Sequence, residues 1–342
     1  MKVPVLITAA AVMAMHGVAP QAHAQHLNPV IDLLVAKKQV LGLYAPANRR
    51  VGGGRGGPPG APVTPPPVDT TPRKTPAQLA ADAVAYKHAD FIFDGTMENS
   101  ATFDAALTTF ADFAKGMATA EPATKNSRGH PLFVKMTEMA PNMALGAERI
   151  GKQLNTGVMG IVLVDVINAD EVKQAISAMR FKSKGGTRSD AVGDAPAAWG
   201  MSEKDYKEKA DVWPLNPKGE LVVMVIIESK EGLKNIDAIA AVPGIAVLTP
   251  GAGTLGGVMV KVGADGKPEL DASGRPVRDP AAWEAAIQSV ASACKKHKVP
   301  CGYPTAESNM EQRIKDGFSV HIIGWNDAGF KAVDLGRKIG SR

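Results

Sequence analysis

Eight short apolar runs punctuate this chain, and each is followed by sequence with helical spacing. They begin at Val40, Phe91, Leu132, Gly160, Leu221, Ile245, Cys301 and Ser319. Runs that are apolar throughout, rather than alternating with polar residues, suit strands covered on both faces, as in a parallel sheet. Repeated strand–helix order leaves two architectures, a closed barrel or an open doubly wound sheet. No GxGxxG turn follows the first strand to favour the open sheet. The expected class is therefore α/β, a (β/α)8 TIM barrel. Residues 25–342 suffice for a single such domain, which commonly takes ~250 residues.

Two segments stand outside that pattern. Lys2, the apolar stretch 3–19 and Ala22-His23-Ala24 read as an export signal, residues 1–24, cleaved before Gln25. His16 and Gly17 interrupt the stretch, and it is too short for a membrane span, so no membrane association is expected. The mature protein is expected in the periplasm or outside the cell. Residues 51–76 are rich in glycine, then in proline, and cannot bury a core, which predicts a flexible loop after the first strand. Its GGGRGG is not followed by Lys-Ser/Thr, so it is not read as a phosphate loop.

Charge narrows the partners. The net charge of +5 is dispersed, with little aromatic interleaving, which argues against nucleic acid. Lys295-Lys296-His297-Lys298 is the densest basic run and suits the end of a helix, where cations meet the negative dipole. Cys294 and Cys301 are the only cysteines. In an oxidising compartment they could pair; the other reading is two free thiols.

In barrels of βα units, chemistry sits at the C-terminal ends of the strands. The strand from Leu221 ends in Glu228, and the strand from Ile245 ends in Thr249-Pro250-Gly251-Ala252-Gly253. Glu98 and Asp165 also follow strand ends. Three carboxylates on one face could hold a hard cation such as Mg²⁺ or Mn²⁺, with Glu98 a ligand or a base. Plain readings stand beside these: Asp165 as a turn cap, Glu98 as an ion-pair partner. Lys135, at the mouth of the third strand, suits a substrate carboxylate. Gly251 and Gly253 let the backbone approach a ligand, and their amides could hold an oxyanion, or they form a tight turn. Trp199, Tyr206 and Trp213 lie in a long polar segment, covering the barrel mouth or a neighbouring subunit, or simply packing a loop. His130 falls at the wrong end of a strand, and His321 reads as a core residue. No GxSxG elbow and no His/Cys metal spacing occurs.

Several pieces carry a resemblance: LGLYA, DFIFDGTMENS, PLFVKM, GVMGIVLVDVINADEV and VVMVIIESKEGLKNIDAIAAVPGIAVL. Together they resemble the HpcH/HpaI aldolases, pyruvate-type class II enzymes on a (β/α)8 fold. The resemblance implies that Glu228 is a metal ligand. It also shows departures. Asn99 stands where the family has a catalytic His, Lys135 where it has a pyruvate-binding Arg, and Ile226 where it has a polar residue. The turn Pro250-Gly251-Ala252-Gly253-Thr254-Leu255 lacks the family's second metal carboxylate. Arg188, after Gly185-Gly186, matches a glycine-rich turn and is expected to border the site.

The resulting expectation is a divergent, exported carbon–carbon lyase. It would carry out metal-assisted retro-aldol cleavage of a small hydroxy acid or an aromatic side-chain alcohol, releasing an aldehyde. Glu98, Asn99 and Lys135 would be catalytic; Lys135, Arg188, Gly251, Gly253 and Thr254 would meet the substrate; Glu228 and Asp165 would hold Mg²⁺ or Mn²⁺. A homo-oligomer, trimer or hexamer, is implied by the resemblance. The alternative is a non-catalytic periplasmic barrel that binds a small ligand.

Overall fold

The computed structural model describes residues 26–48, 72–124 and 126–340. The expected export signal (1–24) lies outside the described residues, as does the glycine- and proline-rich segment as far as residue 71. Among the described residues nine strands are formed: β1 Val40–Tyr44, β2 Phe91–Asp94, β3 Leu132–Lys135, β4 Gly160–Leu163, β5 Val212–Trp213, β6 Leu221–Ile227, β7 Val247–Pro250, β8 Gly302–Thr305 and β9 Val320–Ile323. Every pairing between them is parallel. From β1 the sheet runs through β2, β3, β4 and β6 to β7 on one side, and through β9 to β8 on the other. A bridge between Leu248 and Cys301, with Leu248 N donating to Pro300 O at 3.0 Å, brings β7 to β8 and closes the ring. These are the eight strands expected. The ninth, β5, pairs only with the start of β6.

Side chains alternate along each strand, so one set faces the barrel interior and the other the helices. In β6, Val222, Met224 and Ile226 join the interior cluster, whereas Leu221, Val223, Val225 and Ile227 join the layer under the helices. Interior space is filled by rings set beside glycines. Phe91 and Phe133 stack with centroids 4.6 Å apart. A Cβ on Gly42 would come within 2.1 Å of the Phe91 ring, and one on Gly160 within 2.4 Å of the Phe133 ring. The helix Pro29–Val35 plugs the N-terminal end of the barrel with Val30, Ile31 and Leu34. Its entry is anchored by buried Glu220, whose carboxylate accepts from the amides of Leu27 and Asn28, both at 3.0 Å.

Some local expectations shift. The helix read over 232–241 is two short helices, Lys230–Lys234 and Ile236–Ala240. They meet at Asn235, whose amide donates to Ile167 O at 2.7 Å and so turns the chain. The polar segment 181–219 carries a 3₁₀ turn, two short helices and β5. Cys294 and Cys301 form a disulfide with Cα atoms 5.6 Å apart. His321 is fully buried between Thr305 and Gln39. No helix among the described residues is long and apolar enough to cross a membrane.

Candidate active site at the C-terminal end of the barrel

Glu228 is the first residue beyond β6 and keeps the inward parity of Val222, Met224 and Ile226. Its side chain is buried, with the residue 8% exposed. Oε1 accepts from the amide of Asp165 at 3.1 Å, and the Thr254 hydroxyl donates to the same carboxylate. Burial raises the Glu228 pKa above the ordinary glutamate value; the Thr254 bond, the charge of Lys135 and the Asp165 amide oppose this without cancelling it.

Gly251 makes this position possible. A Cβ there would lie 2.4 Å from Glu228 Cβ and 2.6 Å from Oε2, so only glycine lets the end of β7 pass the carboxylate. The Gly251 amide donates to Ile227 O at 2.8 Å. It is therefore part of the sheet ladder, which corrects the expectation that it faces an oxyanion. Gly253 and Thr254 lie in the short helix Ala252–Val258, with Gly253 exposed and open space where a Cβ would stand.

Lys135 ends β3 on the inward side, and its side chain is 14% exposed. Its Nζ donates to Glu98 Oε2 at 3.0 Å. Burial works to lower the lysine pKa, but Tyr44, Glu98 and Glu228 together hold it above the ordinary value. One cation therefore stands among several acidic or phenolic groups. Tyr44 is a residue that the sequence reading passed over. It ends β1, packs against the interior cluster and meets the Phe93 ring edge-on at 4.9 Å. Its signal was the parity of Val40, Gly42 and Tyr44, which points all three inward once the barrel is assumed.

Asp165 adopts a left-handed backbone, φ 43°, which aims its amide at Glu228. Its Oδ1 is buried without a hydrogen-bond partner. Such an orphan acceptor is costly unless something binds it. Asn99 is different. It is exposed, and its side-chain oxygen accepts from Ala101 N at 3.0 Å, capping the 3₁₀ turn Ser100–Thr102. The structure gives it a capping role rather than a contact with Lys135 or Glu228.

Arg188 does not border this site. It is buried, donating to Asn155 Oδ1 at 3.1 Å and to the Tyr206 hydroxyl at 3.0 Å, with its guanidinium over the Phe181 ring. Asn155 caps the helix that leads into β4, so this cluster lies towards the strand's N-terminal end, away from Glu228. Trp199 packs there too, its indole N–H donating to Gly157 O at 2.9 Å. Pairing of β5 with the first residues of β6 draws the segment to that end. Trp199 and Tyr206 are packing within that segment, and Trp213 lies at the same end in β5, so the three do not cover the mouth.

Among the described residues no group of three or more His, Cys, Asp or Glu is arranged as a metal cage. A Mg²⁺-type ion, however, keeps several waters and is often held by one or two carboxylates together with substrate oxygens. Buried Glu228 is a hard oxygen donor of that kind; Asp165 reaches it through its backbone amide while its carboxylate bears on Glu171, so of the two expected ligands Glu228 is the one placed for such an open site.

Comparison with known proteins now bears on this arrangement. A profile of the HpcH/HpaI aldolase/citrate lyase family matches residues 131–330. The chain belongs to that family. Among solved structures, it is similar to an HpcH/HpaI aldolase/citrate lyase family protein from Burkholderia cenocepacia J2315, with 17% identity, TM-score 0.59, and 92% of this chain and 96% of that chain covered. An HpcH/HpaI aldolase from Desulfitobacterium hafniense DCB-2 shows 16% identity and TM-score 0.55, covering 93% and 96%. Macrophomate synthase shows 18% identity and TM-score 0.54, covering 96% and 94%. At these identities the structures establish the fold. No curated protein sequence matches the chain. Within the HpcH/HpaI match lie Lys135, Asp165, Glu228, Gly251 and Thr254; Tyr44 and Glu98 precede it. Family and fold together describe a lyase-type enzyme on a TIM-barrel-like scaffold.

Proposed function

We propose that this HpcH/HpaI protein is an exported carbon–carbon lyase. It cleaves a small hydroxy acid or an aromatic side-chain alcohol in the retro-aldol sense and releases an aldehyde. The observation that carries the reading is the meeting of Lys135, Glu98 and Glu228 at three strand ends of one barrel face.

Retro-aldol cleavage needs a proton taken from a hydroxyl, and a place for the electron pair of the breaking C–C bond. Glu98 is the more exposed carboxylate, 44% accessible, and sits where an entering hydroxyl can reach it. It takes the proton as the hydroxyl carbon becomes the aldehyde. Lys135, fixed by Glu98 and largely enclosed, holds the carboxylate or the enolate oxygen that gathers charge. Thr254 and the Asp165 amide orient Glu228. Glu228, together with waters and substrate oxygens, would hold the divalent cation, Mg²⁺ or Mn²⁺, which when bound polarises the carbonyl and stabilises enolate charge. Export rests on residues 1–24, and the Cys294–Cys301 disulfide suits an oxidising compartment. Assembly as a homo-oligomer belongs to the same proposal.

The test compares the purified mature protein with Glu228→Ala, both verified as folded by circular dichroism. The proposal expects bound Mg²⁺ or Mn²⁺ in the first and its loss in the second, and loss of aldehyde release across a panel of hydroxy acids and aryl alcohols. If neither protein binds a divalent ion, the metal-assisted reading falls. The capping role of Asn99, which takes the place of a catalytic His, favours the second reading of a ligand-binding barrel if ligand binds without any aldehyde appearing.

A further inference from the structure

A cavity of about 680 Å³ opens at the other end of the barrel from Glu228. Its wall includes Lys38 just before β1, Ile245 before β7, Pro300 before β8 and Ser319 before β9, all on the N-terminal side of their strands. The floor is apolar, with Leu34 from the plugging helix, Val299 and the half-buried indole of Trp213. Four lysines stand around it: Lys37, Lys38, Lys295 and Lys298.

The charge here is unbalanced. None of the four lysines forms an ion pair or a side-chain hydrogen bond with a described residue, whereas neighbouring Lys296 is paired with Asp237. The acid in the wall, Asp316, is already engaged by Arg313 at 3.0 Å and by Gln312 at 2.8 Å. The backbone that carries them is constrained. Cys294 and Cys301 bracket Lys295 and Lys298, so the disulfide closes the loop that carries both. Lys37 and Lys298 have left-handed backbones, φ 53° and 57°, at helix ends where glycine is usual. Among the described residues the remaining non-glycine with positive φ is Asp165, at the candidate active site.

We propose that this cavity binds a small organic anion with a flat apolar body and at least one carboxylate. The Trp213 face and the aliphatic floor would take the body, and the lysine rim the charge. A mostly apolar pocket with a few convergent charged groups is the general form of a small-molecule site. The site is independent of the chemistry at Glu228.

Isothermal titration of the full mature protein with 2-naphthoate tests the proposal, with 2-naphthalenemethanol and inorganic phosphate as comparison probes. The same titrations follow with Lys295→Glu/Lys298→Glu and with Glu228→Ala. The expected result is saturable naphthoate binding, weakened by about tenfold or more in the lysine double variant and by added salt, and unchanged in Glu228→Ala. The neutral alcohol should bind about tenfold more weakly than the carboxylate. Should charge reversal disturb folding, Lys295→Gln/Lys298→Gln replaces it, with the change in tryptophan fluorescence that Trp213→Phe abolishes as a second readout. Four results would overturn the proposal: no naphthoate binding, binding lost in Glu228→Ala, binding indifferent to the lysines, or phosphate binding as tightly as naphthoate.

Discussion

Between pH 7 and pH 4, acidification should weaken this fold through His321. It lies in β9, fully buried, with Nδ1 2.8 Å from Thr305 Oγ1 and Nε2 2.8 Å from Gln39 Oε1. Neutral imidazole suits that place, and burial pushes the pKa from 6.5 down to about 4. The unfolded chain restores the ordinary value. Below pH 6.5 the unfolded state therefore binds a proton that the native state refuses, and stability falls as pH drops from 6.5 towards 4. Beneath that the loss levels off, because both states are protonated. A pKa drop of about 2.5 corresponds to about 3 kcal/mol, a large share of a typical domain's total stability. Glu121 acts in a different window. Burial alone would raise its pKa, but hydrogen bonds from His130 and Lys87 hold it at about 2, so its contribution is present above 4.5 and lost as pH falls from 4.5 to 2. Urea unfolding followed by circular dichroism from pH 7 to pH 4 should be run on the wild type and on His321→Gln, which is neutral throughout. Glu121 cancels in that comparison. The variant should be less stable at pH 7 but lose about 3 kcal/mol less on acidification. Parallel curves for the two proteins would refute the assignment.

Three further outcomes are expected. Gly251→Ala should leave the barrel folded but displace Glu228 by about 1 Å, lowering aldehyde release by about 10²-fold; an unchanged turnover would mean that Glu228 is not held by this contact. Gly42→Ala should destabilise by about 1–3 kcal/mol through the clash with the Phe91 ring, and Phe91→Leu in the same chain should recover part of the loss, as a double-mutant cycle in urea would show. Replacing both Cys294 and Cys301 with Ser removes a short loop closure, across a separation of 7 residues, and should cost about 2 kcal/mol, read as a lower urea midpoint.

Much of the barrel was legible because its signal is local. An apolar run covered on both faces must be a buried strand wherever it lies, and the eight runs became the eight strands of the ring. Glu228 was visible for the same reason, as a charge at the end of such a run. The disulfide was left open by the sequence, since nothing local says whether Cys294 and Cys301 come within bonding distance.

Other features depend on pairing between distant segments. β7 runs over Val247–Pro250 rather than starting at Ile245, because its register is set by Met224 and Val225 of β6. That register also ties the Gly251 amide to Ile227 O. Arg188 was misplaced because a two-residue pairing of β5 with β6 decides which end of the barrel its segment reaches. The contact of Lys135 with Glu98 joins residues 37 positions apart, and Tyr44 joins them through the pairing of β1 with β2 and of β2 with β3. By itself, the sequence determined the strands, their order and the carboxylate at the end of β6, since periodicity and burial act over a few residues. Which side chains meet at the mouth, and which cations gather at the opposite end, was decided by the tertiary structure. Those encounters follow from strand register and barrel closure, which bring together residues far apart in the chain.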